Sequence, residues 1–192
     1  MPPRDTPFSS REPENYSATI VVSTEGTETR YFIARAGVKR RTDFNFEQDG
    51  HTSFVVAEQR LLMAHGQKIY AERPAGEAGG GIEENELSLT RLLLAERTYT
   101  NFELVGSENG LTSYRASLAP DQPGEIIVYV DEKLGMPVKQ EMYDVENGER
   151  RLRFSVELRD IALEVDEALF GVPAGYRKVT SDEFYRITRA VN

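Results

Sequence analysis

Asn85-Glu-Leu-Ser-Leu-Thr-Arg-Leu-Leu-Leu-Ala-Glu-Arg97 is the main helical stretch in a chain that otherwise alternates apolar and polar residues. Asn85 suits an N-cap, and Glu83, Glu84 and Glu86 suit the positive end of the helix dipole. Counting 100° per residue from Leu87 brings Leu94 to about 340°, while Leu89, Leu92 and Leu93 fall near 200°, 140° and 240°. A helix with one oily stripe packs on one surface; this one needs two. Leaving two leucines in water would forgo about 3–6 kcal/mol, a large share of a typical total stability of about 5–15 kcal/mol. The second stripe therefore meets a covering loop, a partner or a bound apolar molecule.

Outward from the helix, the chain reads as short strands divided by Xaa-Gly turns. Strands are expected at 16–24, 29–35, 38–46, 52–58, 61–64 and 68–72 before it, and at 102–106, 111–118, 125–131, 136–144 and 150–161 after it. Asn109-Gly110 and Asn147-Gly148 are hairpin signals. Ile126-Ile-Val-Tyr-Val130 has no polar face, so that strand needs cover on both sides. Asp166 to Phe170 reads as a single helical turn docking Leu169 and Phe170. About eleven strands in nearest-neighbour order with one central helix predict an α+β, mainly β fold. Its form is a strongly curved antiparallel half-barrel with the helix lying across the concave side. Residues 1–15, with prolines at 2, 3, 7 and 13, are expected as a polar, disordered tether. A single domain is expected over 16–179, with a mobile loop at 73–84 and a lid helix at 85–97. Residues 180–192 are expected as a tail or short helix, with Phe184 and Ile187 inward.

Composition narrows the function. The chain has 192 residues with 32 acidic and 23 basic ones, leaving a net charge of −9. Nucleic-acid binding rests on neutralising phosphates, so no nucleic-acid partner is expected. Cysteine is absent, which removes disulfides and thiolate chemistry. No run of residues nears the ~20 apolar positions of a membrane-spanning helix. The N-terminus lacks an apolar signal region, so the sequence is either cytoplasmic or trimmed behind a signal or anchor.

The chemistry of an enzyme is hard to find. His51 and His65, the only two histidines, sit beside glycines in expected turns and lack ligand spacing of the HxH or HExxH kind. They read as exposed turn residues, with a metal site or a catalytic base as the alternative, so no metal, cofactor or catalytic residue is expected. GxSxG is absent, and Gly79-Gly80-Gly81 lacks the Lys-Ser/Thr of a phosphate loop. In the Val38–Phe46 strand, Val38, Thr42, Phe44 and Phe46 share one side, while Lys39 and Arg41 share an expected solvated side. Arg40 then falls on the mainly apolar side. An inward arginine needs carbonyl or carboxylate partners, so Arg40 is a candidate latch for the helix or its loop, the alternative being a strand-edge arginine that reaches solvent.

Several of these stretches resemble the LolA/LolB-like superfamily of outer-membrane lipoprotein-sorting carriers and the related LppX/LprG lipid-binding lipoproteins. The clearest is Tyr129-Val-Asp-Glu-Lys-Leu-Gly-Met-Pro-Val-Lys-Gln-Glu-Met142, followed by the long strand Arg150–Ile161. Val165-Asp-Glu-Ala-Leu-Phe-Gly-Val-Pro-Ala-Gly-Tyr176 is similar to the family's closing D-x-x-L-F-x-x-P-x-G-[YF] pattern. Val105-Gly-Ser-Glu108 through Tyr114 adds to the likeness, which covers roughly 102–179. The resemblance implies a half-open barrel with a helical lid, holding acyl chains in an apolar hollow. It implies a non-enzymatic, periplasmic or outer-membrane-anchored protein whose partner is a lipid or acylated lipoprotein, tethered through a missing N-terminus. Leu87, Leu94, Phe44, Phe46, Val128 and Val130 would line the hollow. A protein-interaction or sensor module of the cell envelope, on the same fold, is the alternative.

Overall fold

The structure is a computed structural model and describes residues 6–9, 12–73, 101–117, 124–146 and 148–189. The expected lid helix, most of the expected 73–84 loop, and with them Leu87 and Leu94, lie outside the described residues.

Two meanders build one sheet. The first comprises β1 (Asn15–Thr24), β2 (Thr27–Ala36), β3 (Lys39–Phe44), β4 (Thr52–Val56), β5 (Arg60–Ala64) and β6 (Ile69–Arg73). The second comprises β7 (Asn101–Glu108), β8 (Leu111–Ser117), β9 (Glu125–Asp131), β10 (Met136–Glu146) and β11 (Glu149–Ala162). A two-residue strand, β12 (Arg177–Lys178), and a helix, α1 (Ser181–Arg189), complete the described elements. The order is β12-β6-β5-β4-β3-β2-β1-β11-β10-β9-β8-β7. All eleven expected strands are present, and the fold class is mainly β, with one α-helix among the described residues. The twelfth strand is short and pairs parallel to β6. Glu25-Gly26 and Asn109-Gly110 both place two consecutive residues at positive φ, the type I′ geometry that matches the twist of hairpin strands.

The chain falls into two compact units. The first takes Met1–Glu12, Val21–Glu28 and Glu84–Leu158; the second takes Pro13–Ile20, Thr29–Glu83 and Arg159–Asn192.

In the first unit, β9 is buried on both faces as its composition demanded. On one face Ile126, Val128 and Val130 form a cluster with Ala116, against which Phe8, Phe102, Tyr114 and Met142 pack. On the other face, among the described residues, polar groups gather around Tyr129. Tyr129 and Tyr143 both donate to Glu141 Oε2 at 2.7 Å, and Lys139 pairs with Glu141 Oε1 at 2.7 Å. Residues 6–9, expected within a trailing tether, lie on this unit: Ser9 N–H donates to the Gly135 carbonyl at 2.8 Å.

In the second unit, Ala34, Val55, Leu61, Met63 and Phe170 form one cluster, and Ala64, Ile69, Ala71, Val179 and Phe184 another. The 167–170 turn is a 3₁₀ helix whose N-cap, Asp166, accepts from Ala168 N–H. At α1, Thr180 Oγ1 accepts from Glu183 N–H at 3.2 Å; its start thus has the Ser/Thr-x-x-Glu capping pattern. Phe184 is buried and Ile187 packs beside it, which makes the C-terminal segment a docked helix.

Candidate functional site

The strand that misled the sequence reading builds the site. β3 ends at Phe44 rather than Phe46, because Asn45 and Glu47 take positive φ and turn the chain. Its buried side is the charged one: Asp43 is 1% exposed and Arg41 9%, whereas Val38 is 89% exposed in the preceding turn. The expected solvated Lys39/Arg41 face is therefore corrected for Arg41, and the deeply buried arginine is Arg41, not its half-buried neighbour Arg40. Two opposite charges at i and i+2 on one strand face neutralise each other. Arg41 Nε donates to Asp43 Oδ1 at 2.7 Å and Nη2 to Oδ2 at 2.9 Å. The covering segment supplies the rest, as Arg41 Nη1 donates to the Leu169 carbonyl at 2.9 Å. Nearby, Lys39 forms an ion pair with Glu167.

Sheet register carries this face across three strands. Asp43 pairs with Ser53, and Ser53 with Met63. Thr52 pairs with Ala64, so the next residues out, His51 and His65, are cross-strand neighbours, and His65 N–H donates to the His51 carbonyl at 3.0 Å. The two histidines are thus not isolated turn residues. Their rings stack with centroids 4.0 Å apart and planes at 24°, and both are partly buried.

The polar atoms form one connected set. His51 Nε2 lies 3.1 Å from Asp43 Oδ2. Arg41 Nη2 also donates to Ser53 Oγ at 3.1 Å, which leaves the Ser53 hydroxyl proton to donate to His65 Nε2 at 2.5 Å. His65 Nδ1 then carries the ring proton and donates to Tyr176 Oη at 2.7 Å, a tautomer assigned from this pattern. Tyr176 closes the D-x-x-L-F-x-x-P-x-G-[YF] stretch that carries the family resemblance.

A Ser–His contact invites comparison with nucleophilic catalysis, but Ser53 is 1% exposed. Its oxygen offers no face to an incoming carbonyl. Burial, followed by repulsion from His51, lowers the His65 pKa to about 4 from 6.5. Asp43 opposes that shift and Arg41 adds to it, while Ser53 and Tyr176 contribute uncharged contacts. The unfolded chain takes up this proton below about pH 6.5 and the folded one only near pH 4, so stability is complete above pH 6.5 and falls on acidification through that window. Because the ring is partly exposed, a discounted cost of about 1–2 kcal/mol is expected. Urea midpoints in chelator at pH 7.5 and 4.5 should show it, and His65→Gln should flatten the difference.

The residues expected to line a hollow are distributed over both units. Val128 and Val130 lie in the first, within the apolar cluster beneath Phe8. Phe44 and Phe46 lie in the second: Phe44 meets Tyr31 edge-on at 6.0 Å, and Phe46 stacks on Phe32 at 5.5 Å and meets His51 at 5.7 Å. Arg41, Asp43, Ser53 and Tyr176 were missed. A hairpin centred near residue 58 would have set His51 opposite His65, and that signal was available.

No known protein family matches the sequence, and no curated protein matches it. Solved structures do. The Pseudomonas aeruginosa MucA/MucB complex aligns with a TM-score of 0.53 at 12% identity, over 84% of this chain and 56% of that one. MucB alone gives 0.53 at 12% identity, over 84% and 58%. A LolA superfamily protein from Nitrosomonas europaea covers 84% of this chain and 92% of its own at 12% identity, with a TM-score of 0.33. The chain thus spans under two thirds of the MucB chains it matches. Over the aligned part it shares its fold with MucB.

Proposed function

We propose that the protein is a non-enzymatic binding protein of the cell envelope whose apolar sheet face in the first unit takes the acyl chain of a lipid or lipoprotein. The observation that carries this reading is the seat of Phe8. An aromatic side chain from outside the strands lies on the Ala116–Ile126–Val128–Val130 face, 5.2 Å from the Phe102 ring and 6.3 Å from that of Tyr114. It covers an apolar surface as a guest would. An extracytoplasmic location accords with this reading.

Phe8 competes with any guest for that face. Half-burying a phenylalanine contributes about 1–1.5 kcal/mol, so Phe8→Ala should tighten binding of a fluorescent fatty acid about tenfold. Native mass spectrometry of the wild-type protein should find bound acyl chains. Failure of the delipidated protein and of Phe8→Ala to bind the probe would remove the reading.

A second reading, polypeptide binding, is favoured by the fold shared with MucB, whose solved structures include a complex with MucA. β7 ends the sheet order, and Leu104 and Val105 on it are 63% and 51% exposed. An edge strand with apolar side chains can accept an added strand. Capture of a protein partner without bound lipid would favour it.

A further inference from the structure

We propose that Asp43, His51 and His65 bind one divalent transition-metal ion of the zinc class. This inference is independent of the apolar guest. The chain has two histidines, and the β4–β5 hairpin stacks them on each other beside a buried carboxylate. One donor atom from each of the three residues falls within 4.8 Å of the others. Donors around a tetrahedral zinc, at about 2.0–2.2 Å from the ion, stand roughly 3.2–3.5 Å apart. His51 Nε2 and Asp43 Oδ2, at 3.1 Å, are already near that spacing. An imidazole lone pair lies in its ring plane, so binding turns the His65 ring out of its stack on His51 to close the remainder.

The donors are prepared for the ion. In the tautomer set by Tyr176, His65 carries its proton on Nδ1 and directs the Nε2 lone pair at Ser53 Oγ. That lone pair exchanges a hydroxyl proton for the metal, while Nδ1–H keeps Tyr176 as the outer partner that orients a ligating imidazole. His51 moves its proton from Nε2 to Nδ1 and turns its Asp43 hydrogen bond into a shared ion. Asp43 keeps both Arg41 contacts, since a carboxylate has about four acceptor sites. Two imidazoles and one carboxylate suit zinc, nickel, cobalt or iron(II), whereas calcium and magnesium take oxygen sets. Arg41 places a positive charge beside the ion, which sets the affinity below that of an uncharged shell.

The experiment is equilibrium dialysis of the full chain against Zn²⁺, with His51→Gln/His65→Gln as the background for its many surface carboxylates. One equivalent above that background is expected for the wild type. Each single histidine variant should weaken it tenfold or more, and Tyr176→Phe about tenfold. Ser53→Ala should retain it, because that variant frees the His65 lone pair. Co²⁺ should give a visible ligand-field band that disappears in either histidine variant. Both histidines are partly exposed, so circular dichroism should show folded variants. Zn²⁺ uptake equal in the wild type and the double variant, with no Co²⁺ band, overturns the proposal and leaves a hydrogen-bonded network only.

Discussion

Arg41→Ala is expected to lower the stability of the protein by about 3–5 kcal/mol, the cost of leaving a buried carboxylate without its counter-charge. Arg41 and Asp43 are 9% and 2% exposed at their side chains, so water cannot replace the guanidinium. The variant also strands the Leu169 carbonyl and removes a donor from Ser53. Against a typical total of about 5–15 kcal/mol, this is a loss visible at once in a urea titration. Arg41→Lys keeps the charge but not the two-pronged geometry, so it should recover only part of the loss. Arg40→Ala, one residue away and half-buried, should cost under about 1 kcal/mol. Equal effects at 40 and 41 would mean that the β3 face is assigned wrongly. Replacing Arg41 and Asp43 together by Met and Leu should restore much of the stability, because a buried pair repays little more than its own desolvation.

Phe170→Ala is expected to cost about 3–5 kcal/mol by opening a cavity in the second unit. Phe170 is 5% exposed and packs against Ala34, Val55, Leu61 and Met63. The residue before it supplies the carbonyl that Arg41 holds, so the greasy and polar contacts of the 167–170 turn act on one element. The double variant Arg41→Ala/Phe170→Ala should therefore lose less than the sum of the single losses, by at least about 0.5 kcal/mol. Strict additivity in urea unfolding would separate the turn from the polar cluster. The prediction also gives the resembling Asp166–Tyr176 stretch a physical role: it clamps the sheet face that carries Arg41, Asp43 and the two histidines.

Most of the fold was legible because its signals are local. Alternation marked most of the strands, Xaa-Gly pairs marked turns such as Asn109-Gly110, and Ile126–Val130 announced a strand closed on both sides. The pairing of β1 with β11 was not legible, since nothing in either strand names its neighbour. The site was less readable still. Counting Arg41 as a lone charge sent it to solvent, and counting His51 and His65 as lone turn residues left them without chemistry.

By itself, the sequence determined where the strands lie to within a few residues, that one of them is covered on both faces, and that thiol chemistry is absent. Each of these follows from side chains within a few residues of one another, where a two-residue period or a glycine acts directly on the backbone. Only the tertiary structure decided which face of β3 is inside. That choice depends on a carbonyl 128 residues away and on a hairpin register that brings two imidazoles into contact. A charge is buried when its partners arrive, and those partners come from the fold.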